Sequence, residues 1–156
     1  MQITPEKQAA LDAIRAKEPL ITHIADSIWD FAELSLQETR SAALYCEALE
    51  QEGFRVERGI CNIPTAFSAS FGSGRPYIGL LAEYDALSGL SQEGGSLTHQ
   101  ERTPGGCGHG CGHNLLGAGA FAAALGVKAY LEATGKPGTV ILYGCPGEEG
   151  GAAKAF

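Results

Sequence analysis

Long apolar runs are missing from this chain. No uninterrupted stretch approaches the roughly 20 apolar residues that a membrane-spanning helix needs, and the opening Met1-Gln2-Ile3-Thr4-Pro5-Glu6-Lys7 lacks the basic-then-apolar layout of a secretory signal. A cytoplasmic protein with no membrane partner is therefore expected. Positive charge is scarce as well, with 11 Lys and Arg against 18 Asp and Glu and a formal net charge of −7 over 156 residues. Without a basic stripe, nucleic acid and anionic lipid are not expected partners. Internal repeats and low-complexity linkers are lacking. Cysteine is odd in number, at five, so without a signal sequence reduced thiols or metal ligation are expected in place of a disulfide framework.

Glycine, by contrast, is plentiful, with 22 residues concentrated in the second half, where special backbone is to be expected. Apolar spacing predicts a helix over residues 9–17 ending before Pro19. A second carries Ile21, Ile24, Ala25, Ile28, Phe31 and Ala32. A third runs from Thr39, its expected cap, to Glu50, stopping at Gly53. Period-two alternation predicts strands over residues 54–58, 66–71 and 77–82, and the turn Gly72-Ser73-Gly74-Arg75-Pro76 suggests that the last two form a hairpin. Residues 83–112 show no periodicity, and so long a loop inside a compact domain is usually functional. Residues 115–131 are apolar nearly all round and predict a buried helix. Residues 139–143 predict a buried strand reached by a parallel crossover, and the last residues before Phe156 read as the first turns of another helix. The expected fold class is α/β, with helices packed on a mixed, mostly parallel sheet.

Three segments could carry chemistry. In Gly106-Cys107-Gly108-His109-Gly110-Cys111-Gly112-His113-Asn114, thiol and imidazole donors alternate with glycine. On an extended backbone, side chains two apart share a side, so Cys111 and His113 can approach one ion. The plain alternative is a Gly-rich turn with incidental thiols. Glu148 and Glu149 follow the 139–143 strand, at the carboxyl end where open α/β sheets place their sites. Such a pair can divide two tasks, one carboxylate binding a cation and the other acting as general base, although acids also favour plain helix starts. In Glu83-Tyr84-Asp85, the exit of the 77–82 strand, Asp85 is a candidate to orient a ligand or the base.

The three ordered motifs Ala82-Glu83-Tyr84-Asp85-Ala86-Leu87, Gly108-His109-Gly110-Cys111-Gly112-His113-Asn114 and Gly144-Cys145-Pro146-Gly147-Glu148-Glu149-Gly150-Gly151 resemble the amidohydrolase branch of the dimetal aminoacylase and carboxypeptidase family. The likeness is nearest to p-aminobenzoyl-glutamate hydrolase-like proteins. The resemblance implies that Cys111, His113 and Glu149 are metal ligands and that Glu148 is the general base; Asp85, by its place at the strand end, is expected to serve catalysis beside it. Asn114 stands where the family often has Asp. Also implied are two divalent ions, zinc or manganese, a small amino-acid conjugate or dipeptide as substrate, and a homo-oligomer in full-length form. Family members are roughly twice this length or more, with an inserted lid or dimerisation domain and further His ligands. Residues 1–156 are thus expected to be the N-terminal part of the catalytic domain, holding at most one well-ligated ion and inactive alone. Two alternatives are a non-catalytic fragment that binds metal or a partner, and a cysteine hydrolase with Cys107 or Cys111 as nucleophile and His109 or His113 as base.

Overall fold

The computed structural model describes residues 3–151. Helix α1 (Pro5–Ala16) starts earlier than apolar spacing predicts, because Thr4 caps it by accepting from the Lys7 amide and Pro5 occupies the first turn, where its missing N–H is no loss. Pro19 does not end that helix by itself; it lies in the first turn of α2 (Glu18–Phe31), which only Lys17 separates from α1. In α3 (Thr39–Gln51), Thr39 is inside the helix and is not its cap. The capping oxygens come from Glu33, with Oε1 accepting from the Arg40 amide at 3.0 Å and Oε2 from the Ser41 amide at 2.9 Å. One carboxylate thus satisfies two of the free helix amides, where a threonine hydroxyl would satisfy one.

Strands β1 (Arg55–Arg58), β2 (Phe67–Ser73), β3 (Tyr77–Ala82) and β4 (Gly138–Gly144) form one sheet in the order β1-β2-β4-β3. β3 and β4 run parallel and are joined by α4 (His113–Thr134), the expected crossover, while the β1–β2 and β2–β4 pairs are antiparallel. The expected hairpin of β2 with β3 does not form. β4 lies between them, pairing Gly144 with Phe67 on one side and Thr139 with Tyr77 on the other. Burial explains the order: Val140 and Leu142 on one face of β4 are fully buried, Ile141 and Tyr143 on the other are half-buried, and a strand apolar on both faces suits the interior of a sheet.

The helix expected to be buried all round has instead one inward face. Gly117, Ala118, Phe121, Ala124 and Leu125 are buried, whereas Leu115 and Leu116 are 66% and 47% exposed. By length and composition α4 is apolar enough to cross a membrane, but here it is a core helix packed on α1, α2, β3 and β4. At the centre of the core, the Tyr45 ring lies 5.6 Å from Tyr84, 6.0 Å from Phe67 and 6.3 Å from Phe121. The Tyr84 hydroxyl donates to the Thr65 carbonyl at 2.7 Å. Beyond β4, α5 (Glu148–Gly151) stands where a helix is expected near the end of the sequence; the rest of that expectation lies on residues 152–156, outside the described residues.

Candidate metal centre

Three chain segments meet at the carboxyl ends of β3 and β4: residues 83–85, the end of the long loop with the start of α4, and α5. The loop before α4 does not approach as an extended strand. Gly112 adopts a left-handed conformation (φ +78°) and His113 is the first residue of α4. This turn, and not strand periodicity, brings Cys111 and His113 together, for a left-handed residue favours glycine. The Cys111 thiol, a His113 ring nitrogen and a Glu149 carboxylate oxygen lie within 4.8 Å of one another, as do ligand atoms of Glu83, His113 and Glu148.

His113 is 2% exposed. Its Nδ1 lies 2.9 Å from Asp85 Oδ1 and 3.1 Å from the Asp85 carbonyl. Both partners accept, so Nδ1 donates and, in the neutral ring, Nε2 keeps its lone pair. Around Nε2 stand Glu83 Oε2 at 3.2 Å, Glu148 Oε2 at 3.7 Å and Glu149 Oε1 at 4.0 Å. Four carboxylates, those of Glu83, Asp85, Glu148 and Glu149, thus gather round one imidazole. A divalent cation would offset that concentration of negative charge, and the donors are those zinc takes: thiolate, imidazole and carboxylate. Ligand atoms sit about 2.0–2.3 Å from such an ion, so small side-chain shifts would close either group on one. His113 belongs to both groups, yet its single free ring nitrogen can serve one ion. The described residues therefore offer one three-ligand set at a time, either Cys111, His113 and Glu149 or Glu83, His113 and Glu148, of which the first adds a thiol to imidazole and carboxylate.

Asp85 points at the other side of the imidazole. Its Oδ2 accepts from Ser35 Oγ at 2.8 Å and from the Glu149 amide at 3.0 Å, so it ties the ring, α5 and the segment before α3 together. The Cys111 thiol is held above its ordinary pKa, first by its hydrogen bond with Glu149, then by burial and the charges of Glu149, Glu148 and Glu83. That shift opposes a free thiolate nucleophile, which needs the reverse. His109 does not join the cluster. Its Nε2 donates to the Ile28 carbonyl at 2.9 Å, its ring stacks near Trp29, and burial lowers its pKa. Cys107 lines a polar cleft with Trp29, Asp30 and Arg102.

Sequence reasoning passed over Glu83 as a donor and Ser35 altogether. A signal for Glu83 existed. Tyr84 is the only aromatic residue of its segment, and an inward-facing tyrosine sends both flanking acids to the opposite side.

The model of peptidase family M20/M25/M40 matches residues 79–156, half of the chain and the half that carries all six thiol, imidazole and carboxylate residues of the cluster. The chain belongs to the M20/M25/M40 family. Within this M20 family, one of the subunits of the p-aminobenzoyl-glutamate hydrolase of Escherichia coli is 57% identical over 145 residues, covering 93% of this chain and 30% of the relative. Human Xaa-Arg dipeptidase is 31% identical over 147 residues, 84% of this chain and 30% of that protein. The crystal structure of a dinuclear metal-binding M20 peptidase from Bacillus subtilis superposes with a TM-score of 0.62 at 24% identity, over 85% of this chain and 36% of that one, which shows a shared fold. The chain spans about 30% of the length of the curated M20 relatives it matches.

Proposed function

We propose that this chain forms part of the catalytic centre of a metal-dependent hydrolase that cleaves the amide bond of an amino-acid conjugate or dipeptide, with p-aminobenzoyl-glutamate the foremost candidate. One observation carries the reading: the His113 Nε2 lone pair aimed into the carboxylates of Glu83, Glu148 and Glu149, with the Cys111 thiol alongside. The substrate class is supported by the names of the M20 relatives, and a pair of ions by the Bacillus subtilis peptidase.

Cys111, His113 and Glu149 would hold one ion, zinc or manganese, and Glu83 and Glu148 would be available to a second. Bound there, the metal supplies a Lewis acid for the amide carbonyl and eases ionisation of water at neutral pH. Glu148 accepts the proton from the attacking water and returns it to the leaving amine nitrogen. Asp85 holds His113 in the tautomer that leaves Nε2 open. Residues 1–156 are proposed to be the N-terminal part of the catalytic domain of a cytoplasmic protein whose full length adds a lid or dimerisation domain and assembles as a homo-oligomer. The Escherichia coli relative is one subunit of its hydrolase, so co-purification with an unlike chain would replace that last point.

The test is metal content after dialysis against zinc, in the natural chain and in a Cys111→Ser, His113→Ala double variant. About one ion per chain is expected in the first and loss of it in the second, and equal content in both overturns the reading.

A further inference from the structure

Residues 32–38, between α2 and α3, lie across the site as a strap. Two of them, Ala32 and Leu36, take left-handed backbone conformations without being glycine (φ 43° and 63°), a state that side-chain-bearing residues keep only when their surroundings impose it. At Ala32, the C-cap of α2, the amide bond to the Ile28 carbonyl supplies it; at Leu36 it comes from Glu38, next to α3. Its side chain is wholly buried, and its Oε1 accepts from the Leu36 amide at 2.9 Å and from the Gly147 amide at 2.7 Å. Gly147 directly precedes Glu148 and Glu149. The strap and that turn also fit closely: Gly147 is left-handed (φ +65°), a Cβ there would lie 2.9 Å from Leu36 Cδ2, and one at Gly150 would lie 2.9 Å from Ser35 Cβ. Ser35 meanwhile holds Asp85.

We propose that Glu38 is a positioning residue for the metal centre: its buried carboxylate holds the Gly147 amide and so aims Glu148 and Glu149 at His113. Burying a carboxylate is unfavourable unless hydrogen bonds satisfy it; burial raises the Glu38 pKa and its Oε2 has no hydrogen-bond partner among the described residues, so the two bonds it makes, both at Oε1, are to the backbone amides that shape the strap and the turn. The proposal rests on the metal-centre reading above.

Zinc affinity of the metal-free chain, measured beside urea unfolding in EDTA, tests it. Glu38→Ala is expected to weaken zinc binding about 10- to 100-fold, the range seen when groups that orient ligands are removed. Glu38→Gln retains an oxygen acceptor for both amides and is expected to keep most of the affinity. Leu49→Ala, which truncates a fully buried residue of α3, is expected to lower stability in EDTA and leave zinc affinity unchanged. Should Glu38→Ala fail to fold, Glu38→Asp, with its carboxylate retracted by one methylene, takes its place with the same expected loss. Natural affinity in Glu38→Ala, or in Glu38→Asp where it stands in, overturns the proposal, as does an equal affinity loss in Leu49→Ala. Natural affinity in the Cys111→Ser, His113→Ala variant overturns the metal-centre reading itself, and the two failures are thereby told apart.

Discussion

Glu148 and Glu149 are chain neighbours with different surroundings, the first grouped with Glu83 and the second with Cys111. In a protein of the relatives' full length, Glu148→Gln is expected to keep metal and lose amide hydrolysis by about 10²–10⁴-fold, the usual contribution of a general base. Glu149→Gln is expected to lose metal too. Metal analysis beside turnover of p-aminobenzoyl-glutamate checks both, and full activity in Glu148→Gln removes that residue from the proton transfer. Cysteines also divide by surroundings. Cys46 is buried, and burial pushes its thiol from 9.0 up to about 11, whereas Cys61 is exposed. A folded-state pKa raised in this way contributes stability that is present below the unfolded value near 9 and lost as pH rises through about 11. Urea stability should therefore fall over that window, and alkylation at pH 8 should label Cys61 and spare Cys46. Equal labelling of the two in the native protein, read by mass spectrometry, would contradict this.

At the scale of elements, the position of α4 decides where His113 stands. Gly117 sets it, because a Cβ there would lie 2.4 Å from Tyr45 Oη and 2.5 Å from the Glu83 carbonyl. Gly117→Ala is expected to push α4 from β3 and Glu83, destabilising by about 1–3 kcal/mol despite alanine's better helix propensity, and to weaken zinc binding as His113 moves with the helix. Gly119, on the same helix, has nothing within 4 Å of an added Cβ. Gly119→Ala should instead stabilise by up to about 1 kcal/mol. Urea midpoints of the pair settle it, since equal shifts would mean that close approach at Gly117 is not what holds the helix. Apolar composition placed this helix at residues 115–131, within the observed His113–Thr134, but this fit was not legible, because Tyr45 and Glu83 are far from Gly117 in sequence.

For the whole molecule, β3 is an edge of the described sheet, and Tyr77, Ile78 and Leu81 are 60%, 42% and 49% exposed along it. Beside it an apolar groove is lined by Ile3, Leu11, Ile14, Ile78, Val127 and Tyr130. An apolar edge with unpaired backbone groups is a template for another chain. The 156-residue chain is expected to self-associate with rising concentration, and Leu81→Lys to reduce this by placing a charge on that edge. Sedimentation velocity over a concentration series measures both. Identical behaviour of the variant would move the contact elsewhere.

What the sequence determined by itself was local: helices and strands from apolar spacing, the long loop from its lack of period, and Cys111, His113, Glu148 and Glu149 from donor types packed into short motifs. Tertiary structure alone decided the rest. It placed β4 between β2 and β3, since strand order depends on which strand can be covered on both faces. It made Glu33 the cap of α3, turned Glu83 toward His113, and set Ser35 and Glu38 against partners 50 and 109 residues away. In one dimension a buried glutamate looks like a solvated one. Only packing brings a distant amide to one of its oxygens, and that hydrogen bond then opposes part of the penalty of taking the carboxylate out of water.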